Sequence, residues 1–541
     1  MSGPSSFIVL RRPFYGQLHP LPASHLLRRP TMGGRNKDIS GTSGHQIPYI
    51  ELGDDPHKPK TNYFASFCAI VASMSCILGG YDIGVMSGAS IYIQHDFLIS
   101  DVQVEILVGI VTLYAVIGAA AAGRTSDCFG RRFTMIVAAG FFFVGAILMG
   151  FAPNYAFLMS GRFFAGVGIG FGCLIAPVFI AEVSPTSSRG CLSTFPEIFA
   201  NVGILLGYIS NFAFSGYPTH LGWRFMLGIG IVPSVFLAAA VILVIPESPR
   251  WLILQGRIGE AKQVLIRTSD SIEKSLQRLA DLKTIVGIPE RCEDDIVQVP
   301  KQRSHGSSVW KELFLCPTPA IRHILITAVG VYFFAEATGM GAVVLYSPKI
   351  FEKAGILSSD HKLLATVGVG LVKTVFVLIA TVLLDRVGRR PLILTSIGGQ
   401  VISLIALGAG LTVIEKSDEQ VTWAAGLCIA MVLFDVAFFS IGLGPMCYVS
   451  SEFFPLKLRA QGTSVGFITN STMGAIVAMT FLSLYSTISI GGAFFFYAGI
   501  ATVGWVFVYV VFPETRGLDL EDVEGLFGNL MWKFSVRDIK N

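Results

Sequence analysis

From Tyr63 onward the chain is dominated by apolar runs, roughly twelve of them, each of about 20 residues. In lipid no water satisfies a backbone N–H or C=O, so a spanning segment must be a helix or part of a closed barrel. Runs of this length favour helices, because barrel strands are half as long and alternate in polarity. Only 14% of the 541 residues are charged and the mean hydropathy is +0.64, which excludes an ordinary soluble enzyme. The net charge of +4 is too small to mark a nucleic-acid partner. Nine cysteines are scattered, with Cys68, Cys76, Cys173 and Cys428 inside apolar runs, so they read as small buried hydrophobes rather than disulfides or metal ligands. There is no Gly-rich phosphate loop ending in Lys-Ser/Thr and no nucleophile elbow, so neither ATP drive, a cofactor nor enzyme chemistry is expected.

The runs, numbered here as spans 1–12, start near residues 63, 104, 133, 157, 195 and 222, then 320, 363, 391, 424, 461 and 488. The expected class is an all-α membrane protein whose twelve transmembrane helices form two pseudo-symmetric six-helix bundles, residues 61–246 and 319–512. Residues 247–318 are polar and read as a soluble linker with short helices. Residues 1–60 and 513–541 read as tails, the first polar and disordered. That first stretch holds Arg11, Arg12, Arg28 and Arg29 and no acid before Asp38, in the manner of an organelle transit peptide. Its amphipathic pattern is poor, however, and Met32 is an alternative start, so a cytosolic tail is the preferred reading. Arg124, Arg131 and Arg132 between spans 2 and 3, and Arg386, Arg389 and Arg390 between spans 8 and 9, place those loops, the linker and both termini in the cytoplasm. Lys349, Lys353 and Lys362 run against that balance. Glycines at 166, 168, 170, 172, 203 and 207 predict close helix approach in spans 4 and 5.

Three short patterns occur twice in the same order at nearly the same separation. Asp127-Cys128-Phe129-Gly130-Arg131-Arg132 returns as Asp385-Arg386-Val387-Gly388-Arg389-Arg390. Glu182 ahead of Arg189 returns as Glu452 ahead of Arg459, and Pro246-Glu247-Ser248-Pro249-Arg250 as Pro513-Glu514-Thr515-Arg516. Two similar membrane halves with charged latches on one face describe a machine for alternating access. The carboxylates at 127, 182 and 452 are within pairing range of the arginines at 131, 132, 389 and 390 across the bundle, where such pairs would hold one side shut. The simpler alternative is that these arginines only set topology.

Taken with Gly80-Tyr81-Asp82-Ile83-Gly84-Val85 and Tyr346-Ser347-Pro348, these motifs resemble the sugar porter family of the major facilitator superfamily over roughly residues 60–520. Within that family the chain is most similar to plant-type polyol and monosaccharide transporters, through Phe195-Pro196-Glu197 and Ala342-Val343-Val344-Leu345. The resemblance implies a proton-coupled symporter of monosaccharides or linear polyols in a lipid bilayer, a monomer, in the plasma membrane, with the vacuolar and plastid membranes as alternatives. It assigns the proton switch to Asp82 and Arg162. An acid inside span 1 costs about 2.5–3.5 kcal/mol to insert, so it is a functional candidate in its own right. The resemblance also places Asn201, Tyr346, Tyr448 and Asn470 at cargo-binding positions, with Phe333 and Phe334 as wall residues. A facilitative uniporter and a non-transporting sugar sensor are the alternatives.

Span 7 departs from the family pattern. Where sugar porters carry a Gln-Gln pair and then Gly-Ile-Asn, this chain has Ala335-Glu336 and then Gly339-Met340-Gly341. Span 8 carries Lys373 and span 10 carries Asp435, and the usual Trp after Gly444-Pro445 is missing, leaving Tyr448 as an approximate stand-in. A buried lysine needs a counterion. Glu336 is the first candidate and Asp435 the second. Relatives with a lysine at this position often carry an Asp at the position of Gly341, so Glu336 reads as a displaced carboxylate, and Glu336–Lys373 as a cargo-binding pair.

Overall fold

The structure is a computed structural model that describes residues 63–185, 188–286, 288–289, 294–297, 317–356, 358–417, 421–449, 454 and 459–514. The N-terminal tail and most of the C-terminal one lie outside these residues. Among the described residues, twelve helices are long and apolar enough to cross a membrane. Spans 1–6 are Tyr63–Phe97, Asp101–Phe129, Arg131–Gly150, Tyr155–Val183, Gly190–Ala213 and Thr219–Val244. Spans 7–12 are Pro319–Lys353, Ser359–Leu384, Arg389–Lys416, Thr422–Met446, Gln461–Ile488 and Ile490–Val511. Their starts fall close to those expected from the sequence.

Local chemistry sets the helix ends. Ser100, Asn154, Ser248 and Thr318 each accept a hydrogen bond from the N–H three residues on, filling one of the orphan donors of the first turn. Span 7 is broken: one helix ends at Ala337, Gly339 turns with φ +89°, and a second helix begins at Met340. A side chain at Gly339 is barred twice, by that φ and by the Tyr497 ring, which a Cβ would meet at 2.7 Å. Between the halves, helices Pro249–Leu254, Ile258–Thr268 and Ile272–Val286 bury Leu252, Ile253, Leu265 and Leu279 in a small core of their own.

The glycines do what the sequence predicted. A Cβ at Gly170 of span 4 would sit 2.0 Å from the Ala115 carbonyl oxygen of span 2. One at Gly80 of span 1 would sit 1.9 Å from that of Ala200 of span 5. Backbones in contact gain dispersion energy that lipid tails cannot supply.

The hydrogen bonds that join the two halves lie from mid-membrane to one end. Glu105 of span 2 accepts from the Ser483 N–H at 2.8 Å and its hydroxyl at 2.6 Å. Tyr208 donates to the Val344 carbonyl at 2.7 Å, and Lys349 reaches Gln94 at 3.1 Å and Asp101 at 3.5 Å. Thr374 donates weakly to the Asn201 carbonyl, and Ser215 to Asp360. Among the described residues no hydrogen bond joins the halves at the opposite face, which carries Gly130 and Gly388. The bundle is therefore clasped at the Glu105 end.

Replacing Gly170 by Val should overpack the span 2–span 4 contact at about 1–3 kcal/mol and lower the melting temperature of the detergent-purified protein. Gly140→Val, at a glycine with nothing within 4 Å of a Cβ, should leave it unchanged.

Candidate functional site

Where the two halves face each other they enclose a cavity of about 250 Å³. Asp82, Arg162, Glu197, Asn201, Glu336, Lys373, Phe439 and Asn470 are among the residues that line it. Its composition, apolar with a few convergent polar groups, is that of a small-molecule site.

Asp82 and Arg162 meet on the wall of the first half. Arg162 Nη1 donates to Asp82 Oδ1 at 2.6 Å, and both side chains are only 1% exposed. The guanidinium also donates to the Leu107 and Val108 carbonyls at 3.0 and 3.2 Å, so one side chain ties spans 1, 2 and 4 together. Asp82 Oδ2 is buried without a hydrogen-bond partner. The planar fork of arginine explains how one residue serves three acceptors.

Across the cavity Glu336 stands in the last turn before the break of span 7. Its carboxylate lies 3.0 Å from where a Cβ of Gly341 would be, and 3.4 Å from that of Gly474. It thus fills the space that a side chain at Gly341 would enter, which supports the reading of a displaced acid. Asn470 donates to it at 3.5 Å. The ion pair expected between Glu336 and Lys373 is not closed. Neither Glu336 nor Asp435 comes within 4 Å of the ammonium, which lies 5.8 Å from the Phe439 ring centre. Asp435 is buried away from the cavity, with one carboxylate oxygen unpartnered. A second carboxylate shares the cavity lining with Lys373: Glu197, on the facing half. Asn201, one turn along the same helix, donates to Glu197 Oε1 at 2.8 Å, so its amide orients an acid from behind.

Tyr346 departs from its expected place. It is 1% exposed and does not line the cavity, because its hydroxyl donates to the Ala478 carbonyl at 2.7 Å and its ring stacks on Phe481. Phe334 packs on Phe507, and Phe333 is 37% exposed on the outer surface, so neither forms the wall. The side chain of Tyr448 lies outside the described residues.

Among the described residues, the charged motifs at the Gly130 face assemble within each half. Arg131 forks onto Glu182 at 2.9 and 3.0 Å, joining the start of span 3 to the end of span 4. It lies 3.7 Å from Asp127, whose side chain is 80% exposed. Arg132 turns to the Ile242 carbonyl instead. Glu247 accepts from the N–H of Arg131 at 2.7 Å, and of Arg132 at 3.3 Å, capping span 3. The second half repeats this: Glu514 accepts from the N–H of Arg389 and of Arg390, both at 3.1 Å, and Arg390 donates to the Tyr509 carbonyl. A Cβ at Gly130 would meet Glu247 Oε2 at 2.3 Å, so the glycine admits the cap. The side chains of Asp385, Arg189 and Arg459, and all of Glu452, lie outside the described residues. Glu247, Glu514, Glu197 and Glu105 were not singled out from the sequence. The duplicated Pro-Glu pair was the available signal for the first two, and an acid inside an apolar run for the others.

In a double-mutant cycle, Arg131→Ala and Glu182→Ala should couple by about 1–3 kcal/mol in the stability of the purified protein. Glu105→Ala should release the clasp at the Ser483 end. Thiol reagents added from that side should then label a cysteine placed at Thr112 several-fold faster than in the parent.

The family described as "Sugar (and other) transporter" matches residues 67–527. The chain is 56% identical over 478 residues to polyol transporter 5 of Arabidopsis thaliana, covering 88% of each. It is 34% identical over 459 residues to a D-xylose transporter of Levilactobacillus brevis, covering 85% of this chain and 94% of that one. Among solved structures, the proton:xylose symporter XylE bound to 6-bromo-6-deoxy-D-glucose superposes with a TM-score of 0.71 at 24% identity, over 86% of this chain and 100% of that one. An inward open conformation of XylE from E. coli superposes with a TM-score of 0.67 at 23% identity, over 85% and 98%. At those identities the likeness is one of fold. The family match spans most of the chain and the twelve helices are arranged as in XylE: this protein belongs to the sugar transporter family and has the major facilitator fold.

Proposed function

We propose that the chain is a proton-coupled symporter of monosaccharides and linear polyols that works by alternating access. The relatives carry the cargo class: one is named a polyol transporter, another a D-xylose transporter. The observation that carries the coupling is Asp82, buried on the cavity wall with one oxygen on Arg162 and the other on nothing. That free oxygen is where a proton would go. Once protonated, the acid loses its charge-assisted hold and Arg162 is left to the carbonyls of span 2. The contact between spans 1 and 4 then loosens, and the cavity changes shape as a proton arrives or leaves. A purely structural ion pair has no need of an orphaned oxygen on a residue that lines a cavity.

Cargo binding falls to Asn201, Glu336, Lys373 and Asn470, with Glu197 added. Their amides and carboxylates supply the acceptors and donors that a string of hydroxyls requires. With the Glu105 clasp closed, the cavity faces the side of Gly130. The balance of positive residues supports a cytoplasmic side for that face, both termini and the linker, and on that reading this is an inward-facing state. Arg131, Glu182 and the Glu247 and Glu514 caps then act as latch parts held ready within each half, to meet across the bundle when that face closes. The plasma membrane is the proposed location and a single chain the working unit.

A pH step of one unit supports about tenfold accumulation at one proton per cargo. Labelled sorbitol, xylitol, glucose and xylose supplied to transporter-deficient cells should accumulate in that range with an inward proton gradient and only equilibrate without one. Asp82→Asn should reduce accumulation to equilibration while leaving exchange intact. Accumulation that survives the substitution rejects the coupling role, and no uptake across the panel, with the protein at the surface, rejects transport of this cargo class.

A further inference from the structure

Five acidic or basic side chains line the cavity among the described residues: Asp82, Arg162, Glu197, Glu336 and Lys373. Asp82 and Arg162 neutralise each other at 2.6 Å. Two carboxylates and one ammonium remain. Glu197 stands on span 5 of the first half, Glu336 and Lys373 on spans 7 and 8 of the second. All three side chains line the same cavity. Neither acid closes on the ammonium within 4 Å. Each is instead served by an amide: Asn201 donates to Glu197 and Asn470 to Glu336. An amide solvates a carboxylate without cancelling its charge. Counted by residue, two acids on opposite walls therefore share the cavity with one ammonium.

We propose that this cavity sorts cargo by charge, taking protonated amino sugars and amino polyols in preference to neutral ones and excluding sugar acids and sugar phosphates, with Glu197 and Glu336 as the selecting pair. The inference rests on the sugar and polyol reading above and deepens it. An ammonium replacing one hydroxyl of a polyol fits the unpaired carboxylate, while Lys373 keeps the other. A carboxylate or phosphate on the cargo meets a like charge in a confined, largely apolar space. Because the acids sit on opposite halves, a cationic cargo between them also draws the halves together, as Lys373 does in part when the site is empty.

Matched ligands test this on the full-length protein in lipid nanodiscs at pH 7, read by equilibrium binding. Sorbitol, 1-amino-1-deoxysorbitol and gluconate differ only at one terminal carbon, and glucose and glucosamine form a second pair. A hydrogen bond gained to a charged group corresponds to about tenfold to a hundredfold in affinity. The amino compound should therefore bind at least about tenfold more tightly than its neutral partner, and gluconate should not compete. Glu336→Gln and Glu197→Gln should each bring the amino-to-neutral ratio towards one. Equal affinity of the amino and neutral compounds in the parent protein overturns the inference, as does a ratio that survives both substitutions. If sorbitol and glucose neither bind nor enter cells, the sugar and polyol reading itself falls. If they do and only the ratio fails, that reading stands and the charge selection is wrong.

Discussion

Inside a bilayer a lost hydrogen-bond partner cannot be replaced by water, and this makes the guanidinium of Arg162 the point on which the first half turns. From span 4 it holds the Asp82 carboxylate of span 1 and two carbonyls of span 2. Three helices are thereby fixed at mid-membrane by a side chain that no other residue type could replace, since only arginine offers a rigid fork of donors with a permanent charge. The same bond leaves one acid oxygen unsatisfied at the cavity wall. On the proposed reading, structural tie and proton site are one object, so a change in protonation would act directly on helix packing.

The two halves repeat each other down to single hydrogen bonds. Gly130 and Gly388 turn the chain with φ of +95° and +104°, each next to a glutamate that caps the following helix. Glu247 arrives from the end of span 6 and Glu514 from the end of span 12, so each cap fastens the last span of its half to the third. These ties run within a half and keep it rigid. Among the described residues the bonds between halves are few and lie towards the Glu105 end, and rigid halves joined by few bonds are what rocking motion requires.

The fold was legible almost in full. Apolar runs of helical length cannot be anything but spans, and the duplicated Gly-Arg-Arg and Pro-Glu motifs mark two related halves. The site was legible where an unusual residue stood in lipid. Asp82, Glu336 and Lys373 all reach the cavity, because a charge in an apolar run has to face an interior. Glu197 was overlooked although it obeys the same rule, since it stands at the edge of its run where an acid passes for a helix-start residue. Tyr346 failed for the opposite reason. An aromatic with a hydroxyl suits a sugar site by type, but the kink at that residue (φ −113°) and the neighbouring Pro348 turn it into the seam between helices.

The sequence by itself determined the class of molecule, the number and order of spans, the pairing of halves and the presence of buried charge, because each follows from composition and spacing along one chain. Only the tertiary structure decided which charges meet. That Arg131 takes Glu182 while Arg132 does not, that Lys373 shares a cavity with two acids without closing on either, and that the clasp lies at Glu105 all depend on ångström-scale distances between helices far apart in the chain. Electrostatic and hydrogen-bond energies fall off over those same ångströms, so no reading of order and spacing alone supplies them.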